Sequence, residues 1–141
     1  MTRTVETIHD PSIDIFISAV LGKKARQVVV LDVKAMTTVA DTFIICSARS
    51  NRQVTAIAEF ISIYLKKQGK KTLNVEGRQE GHWVLMDYGD VIIHIFLEPM
   101  RSFYDLEGLW VDAESFEDVV AGGGRNLVQA EEDLLVGIRV Y

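Results

Sequence analysis

Two runs rich in apolar residues, His82 to Asp87 and Asp90 to Phe96, are separated only by Tyr88 and Gly89. Such a pair, with aspartate on each side, is typical of a tight β-hairpin, because glycine readily adopts the positive φ that the turn needs. Successive side chains of a strand point to opposite faces of the sheet, and here both sets are apolar. Strands of this kind lie in the middle of a sheet that is covered on both faces. The chain is therefore predicted to build a sheet between layers of helix.

Three further segments have the composition of strands. Gln27 to Val33 is a β-branched run flanked by charge, Asp41 to Ala48 is mostly apolar, and Leu73 to Glu76 is a short third segment. Together with the hairpin they give about five strands. Because helical patterns lie between them, we predict an α/β fold with a mixed sheet of about five strands flanked by helices.

Two helices are predicted before the hairpin. The first begins at Asp10 and Pro11 and ends at Gly22, which we expect to adopt the left-handed conformation. The second begins at a capping box in which the Ser50 hydroxyl accepts from the backbone of Gln53. Its apolar stripe predicts a buried helix that ends near residue 69: Val54, Ile57, Ala58, Ile61 and Leu65.

A third helix is predicted to begin at Pro99, with Phe103, Leu106 and Trp110 three and four residues apart on one apolar face. Arg101 and Asp105 could pair across one turn of it. A short amphipathic helix is also predicted over residues 126–136, after a run of three glycines.

Charge and cysteine content narrow the class of protein. The net charge is −5, the opposite of the basic excess of nucleic-acid-binding domains, so no direct sequence-specific nucleic acid binding is predicted. An acidic chain favours a basic partner. No apolar run approaches the ~20 residues of a membrane span, and residues 1–10 lack the apolar core of an export signal. The single Cys46 is predicted to be a buried, inert thiol, which fits a cytoplasmic location.

The residues that could carry chemistry do not combine into a catalytic site. Asp87 and Asp90 could hold magnesium, but aspartate beside a glycine-containing turn also has a structural explanation. His94 shares a strand face with Ile92 and Phe96, which favours a hydrogen-bonded core or edge histidine over a general base. Zinc-ligand spacings, a phosphate loop and a nucleophile elbow are absent from the sequence. We predict that the chain is not an enzyme and uses no metal or cofactor.

Several blocks of the sequence resemble, in order, the ribosomal silencing factors, also called the Iojap-like family. The blocks are residues 40–46 (ADTFIIC), 50–54 (SNRQV), 75–77 (VEG), 83–96 (WVLMDYGDVIIHIF) and 101–110 (RSFYDLEGLW). The resemblance covers residues 13–110, and it implies a nucleotidyltransferase-like α/β fold without catalytic residues.

The same resemblance implies a function. Members of this family bind the large ribosomal subunit through its ribosomal protein fourteen, at the face that meets the small subunit. Occupying that face blocks subunit joining and represses translation in starvation. Members of the family also form homodimers, which would suit the strongly apolar helix around residues 60–64.

Nine positions in these blocks are candidates for the partner-binding surface: Glu76, Trp83, Asp87, Asp90, His94, Arg101, Tyr104, Glu107 and Trp110. Aromatic side chains commonly anchor interfaces, and the carboxylates would complement a basic ribosomal protein. Fold maintenance is the alternative role for each of the nine.

The resemblance ends at residue 110 and divides the chain into a silencing domain, residues 1–110, and an acidic extension, residues 111–141. A disordered tail, a helix swapped between protomers and a further ribosome contact all stay open for the extension.

Two other functions stay open as well. One is a degenerate nucleotidyltransferase-like enzyme that uses Asp87 and Asp90 with magnesium. The other is an RNA-binding module that uses Arg49, Arg52 and the lysines between positions 66 and 71.

Overall fold

The computed structural model describes residues 11–34, 37–105 and 138–140. After a 3-10 turn at Pro11–Ile13, these residues form the helices α1 (Asp14–Leu21), α2 (Asn51–Lys67) and α3 (Glu98–Tyr104). The strands are β1 (Arg26–Asp32), β2 (Thr42–Ala48), β3 (Asn74–Glu76), β4 (Trp83–Asp87), β5 (Val91–Leu97) and β6 (Ile138–Val140).

All six strands join one mixed sheet in the order β3-β4-β5-β2-β1-β6. Neighbouring strands are antiparallel except β2 and β5, which run parallel with Ile45 beside His94. The parallel pair arises because α2 returns the chain across the sheet before β3, β4 and β5 form an antiparallel meander. The predicted α/β class and mixed sheet are confirmed. The sheet has one strand more than the five predicted, because β6 pairs with β1.

Helices α1 and α2 cover one face of the sheet, which we call the helical face. Side chains that alternate along the central strands enter this core, among them Ile44, Cys46, Ile93 and Ile95. The predicted stripe of α2 faces them and is fully buried. Cys46 is 0 % exposed, and desolvation raises the pKa of its thiol to about 12, so the prediction of a buried thiol is confirmed.

Both predicted ends of α2 are confirmed. The Ser50 hydroxyl accepts from the Gln53 amide at 3.1 Å, while the Gln53 side chain reaches back to the amide of Arg49 at 3.3 Å. At the other end the amide of Gly69 donates to Lys66 and that of the next residue to the carbonyl of Leu65, with φ +83° at the glycine. This is the double hydrogen bond of a Schellman ending.

The prediction for Gly22 is wrong in its mechanism. Gly22 follows α1, but its φ is −70° and lies in the ordinary right-handed region. Its environment explains the glycine instead, because a Cβ there would lie 2.6 Å from the ring of Phe60. The glycine therefore allows α1 and α2 to approach closely.

Helix α3 lies on the opposite face of the sheet, which we call the aromatic face. It is shorter than the predicted helix, because Asp105 adopts a left-handed conformation with φ 45° and its amide donates to the carbonyl of Arg101 at 2.8 Å. Phe103, which was predicted to share one face of this helix with Leu106 and Trp110, is 78 % exposed. Leu106, Glu107, Trp110 and the helix predicted over 126–136 lie outside the described residues, and the division of the chain at residue 110 stays a prediction.

Candidate partner-binding site

Six aromatic rings form a continuous cluster on the aromatic face. The indole of Trp83 lies 4.8 Å from the ring of Phe96 and 4.8 Å from that of Tyr104, measured between centroids. Further contacts extend the row on both sides, so that it contains Phe43, Trp83, His94, Phe96, Phe103 and Tyr104. We call these six residues the aromatic cluster.

Strand register assembles the buried part of the cluster. In the hairpin, Trp83 is opposite Phe96 and Leu85 is opposite His94, so Trp83 and His94 are diagonal neighbours on one face. The parallel register of β2 and β5 sets Phe43 beside Ile92, which brings its ring within 4.9 Å of the imidazole of His94. The chain then turns into α3, which returns Tyr104 over Trp83.

Exposure increases steadily along the cluster. Phe96 and His94 are 0 % and 4 % exposed, Trp83 is half-buried, and Tyr104 and Phe103 are 47 % and 78 % exposed. Tyr104 therefore packs against Trp83 and Phe96 of the sheet, and Phe103 packs against Tyr104, while both outer rings remain accessible. Large aromatic side chains in that position are typical anchors of protein interfaces.

A hydrogen bond joins Trp83 to His94 within the cluster. The indole Nε1–H donates to Nδ1 of the imidazole at 3.2 Å, which places the ring proton of neutral His94 on Nε2. Burial lowers the pKa of His94 from 6.5 to about 4, so the ring is neutral at physiological pH. The prediction of a hydrogen-bonded core histidine is confirmed.

The other ring nitrogen of His94, Nε2, is buried, and no hydrogen bond to a described residue offsets its loss of contact with water. Nothing in the described parts of the chain lies within hydrogen-bonding distance of Nε2. A buried donor without an acceptor costs about 1–3 kcal/mol. His94 is thus a costly residue in a position that an apolar side chain could fill.

Arg101 is buried under α3, where it holds the helix to the sheet. Its guanidinium donates to the carbonyl oxygen of Gln27 at 2.7 Å and to the hydroxyl of Ser47 at 3.1 Å. Gln27 has a φ of 49° in an irregular stretch of β1, which turns its carbonyl toward the guanidinium. Arg101 and Tyr104 are three residues apart and both face the sheet, and this leaves Phe103 to point outward.

Asp87 and Asp90 occupy the hairpin turn at the other end of β4, about 13 Å along the strand from Trp83. Asp87 accepts from the amide of Gly89 at 2.8 Å, and the carbonyl of Asp90 accepts from the amides of Asp41 and Thr42 at 2.8 and 3.0 Å. The Asp87 carboxylate therefore stabilises the turn, and the backbone of Asp90 ties the turn to the start of β2. Within the described residues, no group of three or more histidine, cysteine or acidic side chains could hold a metal ion.

Glu76 is exposed on the edge strand β3, beside the aromatic cluster. It pairs with Leu85 across the sheet and accepts from the amide of the Asn74 side chain at 2.8 Å. The chain then passes so close to Trp83 that a Cβ on Gly77 would lie 2.0 Å from the Trp83 carbonyl oxygen.

The structure therefore brings together four of the nine candidates. Trp83, His94 and Tyr104 belong to the cluster and Glu76 lies beside it, while Arg101 supports it from below. Asp87 and Asp90 are distant, and Glu107 and Trp110 lie outside the described residues. Partner binding by each of the nine stays a prediction. Sequence reasoning missed Phe103, whose signal was its position between two sheet-facing residues of a short helix.

The basic residues of the alternative RNA-binding module do not form a single patch. Arg49 and Arg52 are at the start of α2, and the four lysines of residues 66–71 are at its end. A helix of 17 residues spans about 25 Å. The two basic groups therefore lie at opposite ends of one helix.

Comparison with known proteins identifies the family. The family model described as "Ribosomal silencing factor during starvation" matches residues 5–133. This chain belongs to the ribosomal silencing factor family. The ribosomal silencing factor of Halalkalibacterium halodurans is 43% identical over 101 residues, which is 72% of this chain and 86% of the relative.

Organellar proteins match as well. The mouse protein named "Mitochondrial assembly of ribosomal large subunit protein 1" is 30% identical over 129 residues, 89% of this chain and 55% of the relative. The chloroplast Iojap protein of Arabidopsis thaliana is 37% identical over 94 residues, 67% of this chain and 39% of the relative. The names of the matched relatives thus include ribosomal silencing factors and a protein of large-subunit assembly.

Solved structures share the fold. A crystal structure of a protein from Chromobacterium violaceum has a TM-score of 0.68 at 34% identity, and covers 75% of this chain and 85% of its own. One from Bacillus halodurans has a TM-score of 0.65 at 38% identity, and covers 72% and 95%. None of the helices in the described residues has the length and apolar character needed to cross a membrane.

Proposed function

We propose that this chain acts in the cytoplasm as a silencing factor that binds the large ribosomal subunit through ribosomal protein fourteen. By occupying the face that meets the small subunit, it blocks subunit joining and represses translation in starvation. Family membership supports the ribosome as the target, because relatives are named as ribosomal silencing factors and as a large-subunit assembly protein.

The observation that carries the proposal is the exposed end of the aromatic cluster. Phe103 and Tyr104 present accessible rings, and Trp83 beneath them is only half-buried. Exposed apolar patches on a protein surface commonly mark sites of interaction with a partner. Glu76 beside the cluster adds a carboxylate that complements a basic ribosomal protein.

A homodimer is part of the proposal and would use a different surface. On the outer side of the helical face, Leu21 and Ile63 are 45 % and 50 % exposed, and the rings of Phe60 and Tyr64 stack at 5.9 Å. This apolar patch lies across the sheet from the aromatic cluster. A second copy could cover it and leave the cluster free for the ribosome. Sedimentation equilibrium should then report a dimer that Ile63→Glu converts to a monomer.

Co-sedimentation with purified large and small subunits tests ribosome binding. The wild-type protein should pellet with large subunits only, and Trp83→Ala and Tyr104→Ala should weaken that binding by about tenfold or more, as expected for interface anchors. Failure of the wild-type protein to pellet with large subunits at modest salt would refute the proposal.

Asp90→Arg tests the contribution of the hairpin carboxylates, and Glu59→Arg is its matched control. Glu59 is equally exposed but lies on α2, across the sheet from the cluster. Asp90→Arg should weaken binding to large subunits more than Glu59→Arg does. Equal effects would assign the loss to net charge alone.

Subunit joining needs its own assay. Light scattering of mixed large and small subunits should show fewer joined ribosomes when wild-type protein is added first. Tyr104→Ala should restore joining at the same concentration. If the protein binds large subunits but does not reduce subunit joining, the large subunit remains its target and the proposed block is rejected.

A further inference from the structure

We infer that His94 is a positioning residue, which fixes the orientation of the Trp83 indole so that it is ready to contact a partner. The inference rests on the proposed function, because it assigns Trp83 to the binding surface. It concerns how that surface is kept in shape rather than what it binds.

Ring packing and a hydrogen bond together fix the orientation of Trp83. The indole stacks on Phe96 with 28° between the planes and is tilted by 47° against Tyr104. Rotation about the last side-chain torsion by half a turn reaches a second torsional minimum, but it would exchange the N–H edge of the indole with its six-membered ring. Packing against Phe96 and Tyr104 opposes that exchange, and a directional contact to the N–H adds to the selection.

The hydrogen bond to His94 supplies that direction. The indole has a single donor, Nε1–H, and it points at Nδ1 of an imidazole that is itself immobilised between Phe43 and Phe96. Because His94 is on a central strand and 4 % exposed, its acceptor is in a fixed place. The hydrogen bond to this buried acceptor therefore holds the half-buried indole in one orientation.

The cost of His94 to the fold argues that its purpose is not packing. Its Nε2–H is buried and, among the described residues, has no acceptor. A phenylalanine would fill nearly the same volume without that burden. Residues that lower stability without a structural gain are characteristic of functional sites.

Two substitutions separate positioning from packing. His94→Phe keeps an aromatic ring, which is somewhat larger than the imidazole, and removes both the unpaired N–H and the acceptor for Trp83. His94→Asn places an amide oxygen near the position of Nδ1, so it restores the acceptor, but it leaves part of the ring's space empty. The first variant is expected to be at least as stable as the wild-type protein, and the second less stable.

The readouts are the indole N–H resonance of Trp83, the dissociation constant for large subunits and the thermal midpoint. The chain has two tryptophans, and Trp110→Phe assigns the resonance. His94→Phe should move the resonance toward that of a solvated indole and weaken binding by about tenfold, with an unchanged or higher midpoint. His94→Asn should keep the resonance and bind within about threefold of the wild-type protein, with a lower midpoint.

Two results would overturn the inference. One is wild-type binding by His94→Phe, and the other is a loss of binding that follows the loss of stability in both variants. Failure of the proposed function gives a different result, because the wild-type protein itself would then not bind large subunits. In that event the indole resonance alone decides, and an unchanged resonance in His94→Phe rejects positioning.

Discussion

The guanidinium of Arg101 donates to the carbonyl oxygen of Gln27 at 2.7 Å, a contact between residues 74 positions apart in the sequence. A second arginine makes a parallel link nearby, since Arg26 pairs with Glu98 at 2.7 Å. Both links tie α3 to β1, but the first is buried and the second is exposed. The aromatic cluster depends on α3, so the two links offer a matched comparison of what keeps the site assembled.

Arg101→Met should lower the free energy of unfolding by about 2–3 kcal/mol, because it removes charge-assisted bonds from a buried site. Arg26→Gln should cost less than about 1 kcal/mol, as is usual for an ion pair in contact with water. Urea denaturation followed by circular dichroism measures both. Similar losses of unfolding free energy for the two variants would show that the buried hydrogen bonds of Arg101 contribute no more stability than the exposed ion pair.

Stability should depend on pH through His94. Because its folded pKa is about 4 against 6.5 in a model peptide, the unfolded chain binds the extra proton between these values. The contribution of neutral His94 to the free energy of unfolding is therefore fully present above pH 6.5. It falls by about 3 kcal/mol as the pH drops to 4. The difference in unfolding free energy between wild type and His94→Phe, measured across this window, isolates the effect. Parallel pH profiles for the two proteins would contradict it.

Gly77→Ala should be strongly destabilising, whereas Gly69→Ala should not. Both glycines have a φ near +80°, so alanine costs about 1–2 kcal/mol at either position. The surroundings differ, because a Cβ at Gly77 would lie 2.0 Å from the Trp83 carbonyl while nothing lies within 4 Å at Gly69. Thermal unfolding should show the larger drop for Gly77→Ala. Equal drops would mean that the backbone near Trp83 yields without cost.

Cys46 should not react with a thiol reagent such as Ellman's reagent in the native protein. Its side chain is 0 % exposed, so the reagent cannot reach the thiol. Burial also raises the pKa of the thiol to about 12, so the reactive thiolate does not form at neutral pH. One equivalent should react after denaturation in urea. Rapid native labelling would mean that β2 opens readily.

Local chemistry made part of this fold predictable. Gly89 between two apolar runs predicted the hairpin, and the Ser50 and Gln53 capping box predicted the start of α2. Each signal acts within a few residues, so a sequence shows it directly. Gly22 was interpreted by the same local rule and its mechanism was wrong, because a ring from a distant helix is the reason for it.

The candidate site was less accessible to such reasoning. Tyr104, Trp83 and His94 were chosen by family resemblance. Only the register of β4 and β5 shows that Trp83 contacts His94, and only the position of α3 shows that it contacts Tyr104. The exposure of Phe103 depends on Arg101 taking the buried position in α3, which no apolar pattern could indicate. The pairing of β6 with β1 was also missed, because three residues give too short a pattern to predict a strand.

That pairing has a consequence for synthesis. Strand β1 is complete at Asp32, but its outer neighbour β6 begins at Ile138. At the usual ~5–20 residues per second, several seconds of translation separate the two. During that interval β1 carries an uncovered row of backbone donors and acceptors, the kind of edge on which nascent chains aggregate. The outer edge of β1 is therefore covered only after Ile138 to Val140 have been synthesised.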